Sequence, residues 1–251
     1  MKRLLGILAF ILLVAPPANA AFLDNLEAHF KLNTGALTTD SAGSNTLTNN
    51  NTVTEETGIL DVAGQFTAAT NEYLSIVDNA SMSTGDIDFT IVVWVYQDST
   101  GTVRSVASKG GTNQYEWHID IDGSEKPFFQ IYTPAGGNRG QATWGSGLSA
   151  STWHLIVAWH DAIANTVNIQ VNNGTPVSAA ATGPTDGTGS FFIGRLGDVS
   201  RWTDGRIDSF SFFKRVLTSQ ERTDLWNCDN ALDHDFSATA CNPRNVGIII
   251  Q

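Results

Sequence analysis

Cysteine is nearly absent from this 251-residue chain: Cys228 and Cys241 are its two, close together near the C-terminus. Two cysteines allow a single disulfide, which suits an oxidising compartment, or two unpaired thiols. Neither stands in a context that would activate a thiolate nucleophile. Basic residues are also scarce, with 14 Lys and Arg against 25 Asp and Glu and a formal charge of −11. Phosphate binding needs a basic footprint, so nucleic acid is excluded as a partner. The acidic surface promotes solubility and leaves the substrate open. There is no G-x-S-x-G, the five histidines lack zinc-ligand spacing, and no repeat or coiled-coil period runs through the sequence. Beyond residue 20 no apolar run approaches the roughly 20 residues that span a bilayer.

The first twenty residues read as an export signal. Lys2 and Arg3 precede an apolar run over 4–14, then Pro16-Pro17 and the small-x-small site Ala18-Asn19-Ala20. A retained signal anchor is the alternative. With no cysteine near the cleavage site, the sequence offers no lipid attachment there. What remains fits one large β-sandwich as well as two small domains, and one is the expectation: 1–20 as signal peptide, 21–227 as the domain, and 228–251 as an extension carrying the disulfide loop.

Residues 205–226, GRIDSFSFFKRVLTSQERTDLW, hold a strand, a turn and a short helix in fixed order. Ile207, Phe210 and Phe212 interleave with polar residues near a period of two, as in a half-buried strand. The break between Ile207 and Phe210 places a bulge near Asp208. Thr218 with Glu221 three residues on is capping-box spacing, and a helix of about two turns ending near Asn227 follows. Upstream, 27–32, 64–66, 73–76, 89–96, 114–122, 127–133, 151–159, 165–171 and 192–195 read as further strands, about a dozen in all. In 89–96 apolar residues occupy both parities, which makes Trp94 a core residue. Asp40-Ser-Ala-Gly43 is a turn, 47–51 a surface loop, Asp122-Gly123-Ser124 a hairpin connection, and 136–147 a loop region with Trp144 at its tip.

The motif Gly205, Ile207, Asp208, Arg215, Leu217, Thr218, Glu221, Leu225 resembles the last strand and helical turn of laminin-G-like, concanavalin A-like domains. Phe30-Lys31-Leu32 with Asp40-Ser-Ala-Gly-Ser-Asn45 resembles the opening of that family, and Trp153-His154 its Trp-His strand. The likeness extends over about 27–227. Ser209 departs from the pattern, because the family usually has an acidic residue there. The resemblance implies an all-β fold: an antiparallel β-sandwich of the jelly-roll type with one short helix near the C-terminus. It also implies a calcium ion tying a loop carboxylate to the last strand, with Asp208 and Asp40 as candidate ligands. The alternative is that Asp40 caps its own turn and Asp208 binds buried backbone.

The same fold hosts glucanases, and glycoside hydrolysis needs two carboxylates about 5 to 9.5 Å apart. In EWHIDIDGSE, Glu116, His118, Asp120 and Asp122 share one strand face, while Glu125 lies past the turn. The glucanase arrangement Glu-x-Asp-x-(x)-Glu is not reproduced, so no catalytic residue is assigned. His154 and His160 are expected to be solvated. Carbohydrate recognition needs exposed aromatic rings amid polar groups. Trp117, Tyr132, Trp144 and Trp202 are candidate platforms, with Asn138, Arg139 and Gln141 beside Trp144 as hydroxyl partners. The expected function is an exported, non-catalytic module that binds a glycan or glycosylated surface. A structural or adhesive surface, matrix or virion-associated protein and a polysaccharide-degrading enzyme stand as alternatives.

Overall fold

The computed structural model describes residues 22–227. The signal peptide over 1–20 and the proposed Cys228–Cys241 disulfide lie outside the described residues. Strands β1 (Leu26–Phe30), β2 (Thr48–Asn50), β3 (Thr54–Thr57), β4 (Val62–Phe66), β5 (Tyr73–Ile76) and β6 (Phe89–Gln97) come first. Next are β7 (Arg104–Lys109), β8 (Trp117–Ile121), β9 (Pro127–Tyr132), β10 (Asn138–Thr143), β11 (Trp153–Asp161) and β12 (Thr166–Val171). Strands β13 (Val177–Ala180), β14 (Phe191–Ile193), β15 (Arg195–Leu196), β16 (Val199–Trp202) and β17 (Gly205–Phe213) precede the helix α1 (Ser219–Trp226).

These strands build two antiparallel sheets. One has eight strands in the order β13-β12-β11-β6-β17-β4-β3, with β1 also pairing to β17. The other has seven, β10-β9-β8-β7-β14-β5-β2, and β15–β16 forms a separate hairpin. Strand β17 organises the first sheet because its start pairs with β4, its end with β1, and β6 runs along the other edge. The expected bulge is there: the register to β6 shifts between Asp208 and Ser211, and Ser209 takes φ 49°. That extra residue turns Ile207, Phe210 and Phe212 all inward, where each is fully buried. Trp117 stacks on Phe212 across the core at 6.3 Å and Phe30 on Phe191 at 6.2 Å. Each such side chain removed from water stabilises the sandwich by about 1.5–3 kcal/mol.

A second apolar cluster lies on the outer face of the eight-stranded sheet. Trp94 of β6 stacks on Trp226 of α1 at 5.5 Å, with Leu155, Phe213, Leu217 and Leu225 around them. Helix α1 begins at a complete capping box: the Thr218 hydroxyl accepts from the Glu221 amide and Glu221 accepts from the Thr218 amide. It ends at Asn227 in the left-handed region, so both boundaries follow from local sequence. Among the described residues no helix is long and apolar enough to cross a membrane.

Some expectations need correction. Residues 47–51 are not merely a surface loop, since Thr48–Asn50 pairs with β5 as an edge strand. The loop expected over 136–147 contains β10, whose polar sequence NRGQAT carries too little apolar alternation to be read as a strand. His154 and His160 are not solvated: the first bonds Ser149 O and Asn172, the second Ile87 O at 2.8 Å. A buried imidazole needs such partners.

Candidate functional site

Strand β9 alternates cleanly. Pro127, Phe129 and Ile131 are buried in the core, so Phe128, Gln130 and Tyr132 stand on the outer face of the seven-stranded sheet, each half-buried. Register then decides what lies beside them. On one flank β10 sets Asn138 opposite Tyr132, Gln141 opposite Gln130 and Thr143 opposite Phe128. On the other, β8 sets His118 opposite Gln130 and Asp120 opposite Phe128. The His118 ring meets Phe128 edge-on at 5.5 Å and Tyr132 at 5.2 Å, and Tyr115 packs on Tyr132 at 5.8 Å. The α1 helix covers the opposite sheet, so this face keeps aromatic rings and carboxamides within reach of solvent.

The β15–β16 hairpin bounds the face. Arg201 Nη1 donates to Asp120 Oδ2 at 2.6 Å, which neutralises a fully buried carboxylate. Tyr115 donates to Asp198 Oδ1 at 2.5 Å and Thr112 to Asp198 Oδ2 at 2.8 Å. Burial, reinforced by the hydrogen bond to Asp198 and its negative charge, pushes the Tyr115 phenol up to about 12. Burial likewise raises Tyr132 and lowers His118. The phenols and the imidazole are therefore neutral near pH 7, and hydrogen bonding rather than charge is what they offer. Beyond the hairpin, loops 110–114 and 188–190 with Phe192, Arg195, Gly197 and Asp198 line an open cleft of about 300 Å³. Backbone crowding builds its wall, since a Cβ on Gly189 would lie 2.5 Å from Gly110 Cα.

Of the residues expected from sequence, Tyr132, Asn138 and Gln141 come together on this face, and half-buried Trp202 lies at its margin in the hairpin. Three do not join them. Trp117 is in the core, because its neighbours Glu116 and His118 take the other parity. Trp144 is half-buried against the core, so tightly beside Gly174 that a Cβ there would meet its ring at 2.8 Å. Arg139 donates to Gly183 O at 3.2 Å at the sheet edge. The residues missed were Tyr115, Phe128, Gln130, Tyr73, Phe192, Arg195 and Arg201. Alternation in β9 was signal enough for Phe128 and Gln130; nothing local marks Arg195 or Arg201.

The carboxylates at 116–125 are engaged by neighbouring groups of the fold. Glu116 is fully buried, paired with Lys109 Nζ at 2.8 Å and accepting from Thr84 N and Oγ1. Asp120 is held by Arg201. Asp122 caps its hairpin by accepting from Ser124 and Lys126 amides, and Glu125 accepts from Gln97 and Gly101. Each carboxylate the sequence set in one row is committed to a structural partner.

The two candidate calcium ligands are likewise committed. Asp208 Oδ2 accepts the amides of Ile59 and Leu60, both at 3.0 Å. Asp40 accepts from the amides of His29, Ala42 and Asn45 and from the Asn45 side chain. These N–H donors already engage both carboxylates in the fold, and no group of three His, Cys, Asp or Glu side chains that could hold a metal ion occurs among the described residues.

Burial alone would raise the Asp40 carboxyl, but the His29, Gly43, Asn45 and Ala42 hydrogen bonds outweigh it and hold the group below its ordinary 3.8. A depressed carboxyl stabilises the fold above its unfolded value, and that stability is lost as pH falls through the folded value. Asp40→Asn is therefore expected to be less stable than the native protein at pH 6. The gap should narrow on acidification below about pH 4. Urea unfolding at both pH values checks this, and an unchanging gap would refute it.

A laminin-G family model, described as the concanavalin A-like lectin/glucanases superfamily, matches residues 68–221. No curated protein sequence matches the chain. Among solved structures, the binding domain of Paraclostridial Mosquitocidal Protein 1 superposes with TM-score 0.68 at 17% identity, over 83% of this chain and 53% of that one. The ligand-binding domain of botulinum neurotoxin serotype D, in complex with N-acetylneuraminic acid, gives 0.67 at 11% identity over 84% and 52%. Domain 4 of an extracellular arabinanase from Geobacillus stearothermophilus, in complex with arabinotriose, gives 0.57 at 16% identity over 80% and 97%. This chain thus spans about half the length of the toxin chains it matches. At these identities the likeness is one of fold; the two toxin neighbours are binding domains, and the arabinanase domain is in complex with arabinotriose.

Proposed function

Since the chain belongs to the concanavalin A-like lectin/glucanase superfamily, we propose that it is an exported, non-catalytic module that binds carbohydrate through the outer face of its seven-stranded sheet. Fold alone does not assign function. The observation that carries the reading is one sheet face on which Phe128, Tyr132 and Tyr115 stand beside Gln130, Asn138 and Gln141. Sugar C–H faces stack on such rings, and sugar hydroxyls exchange hydrogen bonds with carboxamides. The N-acetylneuraminic acid and arabinotriose bound by the fold neighbours are consistent with it. The signal-like residues 1–20 and the cysteine pair are the sequence support for an extracytoplasmic location.

A glycan array followed by titration of the best ligand tests the reading. Tyr132→Ala and Gln130→Ala are each expected to weaken binding about tenfold, as for central contacts of an interface. Trp144→Ala should leave the affinity unchanged. An array without signal, joined to self-association in a size measurement, would favour the adhesive alternative instead.

A further inference from the structure

We propose that the cleft beside the β15–β16 hairpin receives the carboxylate of an acidic sugar and that Arg195 binds it. The proposal rests on carbohydrate being the ligand of this domain. Six of the described arginines donate hydrogen bonds: Arg104 to Ser99, Arg139 to Gly183 O, Arg201 to Asp120, Arg206 to Thr57 O, Arg215 to Glu221 and Arg222 to Gln170. Arg195 is different. Its guanidinium carbon lies 4.6 Å from the Trp202 ring centroid, 4.8 Å from that of Tyr73 and 5.4 Å from that of Phe192. Its Nε is enclosed without a hydrogen-bond partner, and no acidic side chain pairs with it among the described residues.

Three rings thus fix the plane of the cation and leave its edge, where the N–H donors are, without an acceptor. A planar guanidinium fixed in this way matches the two oxygens of a carboxylate, and little rotamer freedom is lost on binding. Its surroundings suit a sugar ring. The cleft of about 300 Å³ is lined by Arg195 and Phe192 with the polar side chains of Thr112, Gln114, Thr188 and Ser190. Asp198 also lines it, but both its oxygens already accept hydrogen bonds, from Tyr115 and Thr112. Through Tyr115, which packs on Tyr132, the cleft adjoins the aromatic face. A chain could lie across the face and place an acidic residue in the cleft.

Titration calorimetry with oligosaccharides carrying uronic or sialic acid, each beside its carboxyl-reduced counterpart, tests this on the native protein. The acid form is expected to bind at least about tenfold tighter. In Arg195→Gln, confirmed as folded by its circular-dichroism spectrum, that ratio should fall to about one. Equal affinities for the two forms in the native protein, or a preference that survives in Arg195→Gln, would overturn the assignment while glycan recognition stands. Competition by sodium acetate as effective as that by the acidic sugar would overturn the sugar part of it. Failure of every glycan to bind, acidic and neutral, would instead remove the underlying reading.

Discussion

Lys109→Met is expected to destabilise the fold by about 3–5 kcal/mol, the usual cost of stranding a buried charge. The Lys109 ammonium is wholly enclosed, 2.8 Å from Glu116 Oε1, 2.6 Å from Asp78 Oδ1 and 2.5 Å from Gly189 O. Methionine fills similar space but leaves the equally enclosed Glu116 carboxylate without its counter-charge. Glu116→Gln removes that charge while a side-chain oxygen can still accept from Thr84. The double variant Lys109→Met/Glu116→Gln should therefore recover a large part of the loss, because a neutral buried pair is far cheaper than a lone ion. Urea unfolding of the two single variants and the double variant forms a double-mutant cycle. Simple additivity of the losses would show that the pair is not coupled. The same experiment bears on catalysis: a glucanase reading needs Glu116 to exchange protons with substrate, and here it is locked to a lysine beneath the surface.

Gly205→Ala is the second substitution expected to be severe, at about 3 kcal/mol or more. Gly205 takes φ +146° at the start of β17, and a Cβ there would lie 2.0 Å from Tyr96 O and 3.0 Å from Asp98 N. Both contacts are with backbone of the central sheet, which cannot yield without breaking the pairing of Gly205 to Gln97 and Phe66. Gly101→Ala is the control. That glycine also has positive φ, +82°, yet nothing stands within 4 Å of its missing Cβ. Its cost should be limited to the backbone preference, about 1 kcal/mol. Thermal unfolding compares them directly, and similar losses for the two would mean that the clash contributes nothing.

Much of the sandwich was legible because its determinants are local. The alternation of 207–212, the break that becomes the Asp208 bulge and the Thr218–Glu221 capping box all lie within a few residues of one another. Trp94 was correctly placed in an apolar environment, since both parities of 89–96 are apolar. Strand β10 escaped notice for the opposite reason. Its residues gain strand geometry from pairing with β9, not from their own pattern.

The binding face was legible by half. Period two puts Phe128, Gln130 and Tyr132 on one side of a strand, but a single strand does not say which side the rest of the molecule will cover. Trp117 and Trp144 look as eligible as Trp202 in the sequence, although one is core and another is packed beside Gly174. Glu116, Asp120 and Asp122 share a parity, and only their partners distinguish structural carboxylates from reactive ones.

By itself, then, the sequence determined the all-β architecture, the family and the ends of the last strand and helix, since these follow from contacts between near neighbours along the chain. Tertiary structure decided which sheet face stays open, that Lys109 would neutralise Glu116, and that Tyr73, Phe192 and Trp202 would converge on Arg195. Those outcomes depend on pairings between segments distant along the chain, and each is set by the burial and charge balance of the assembled sandwich.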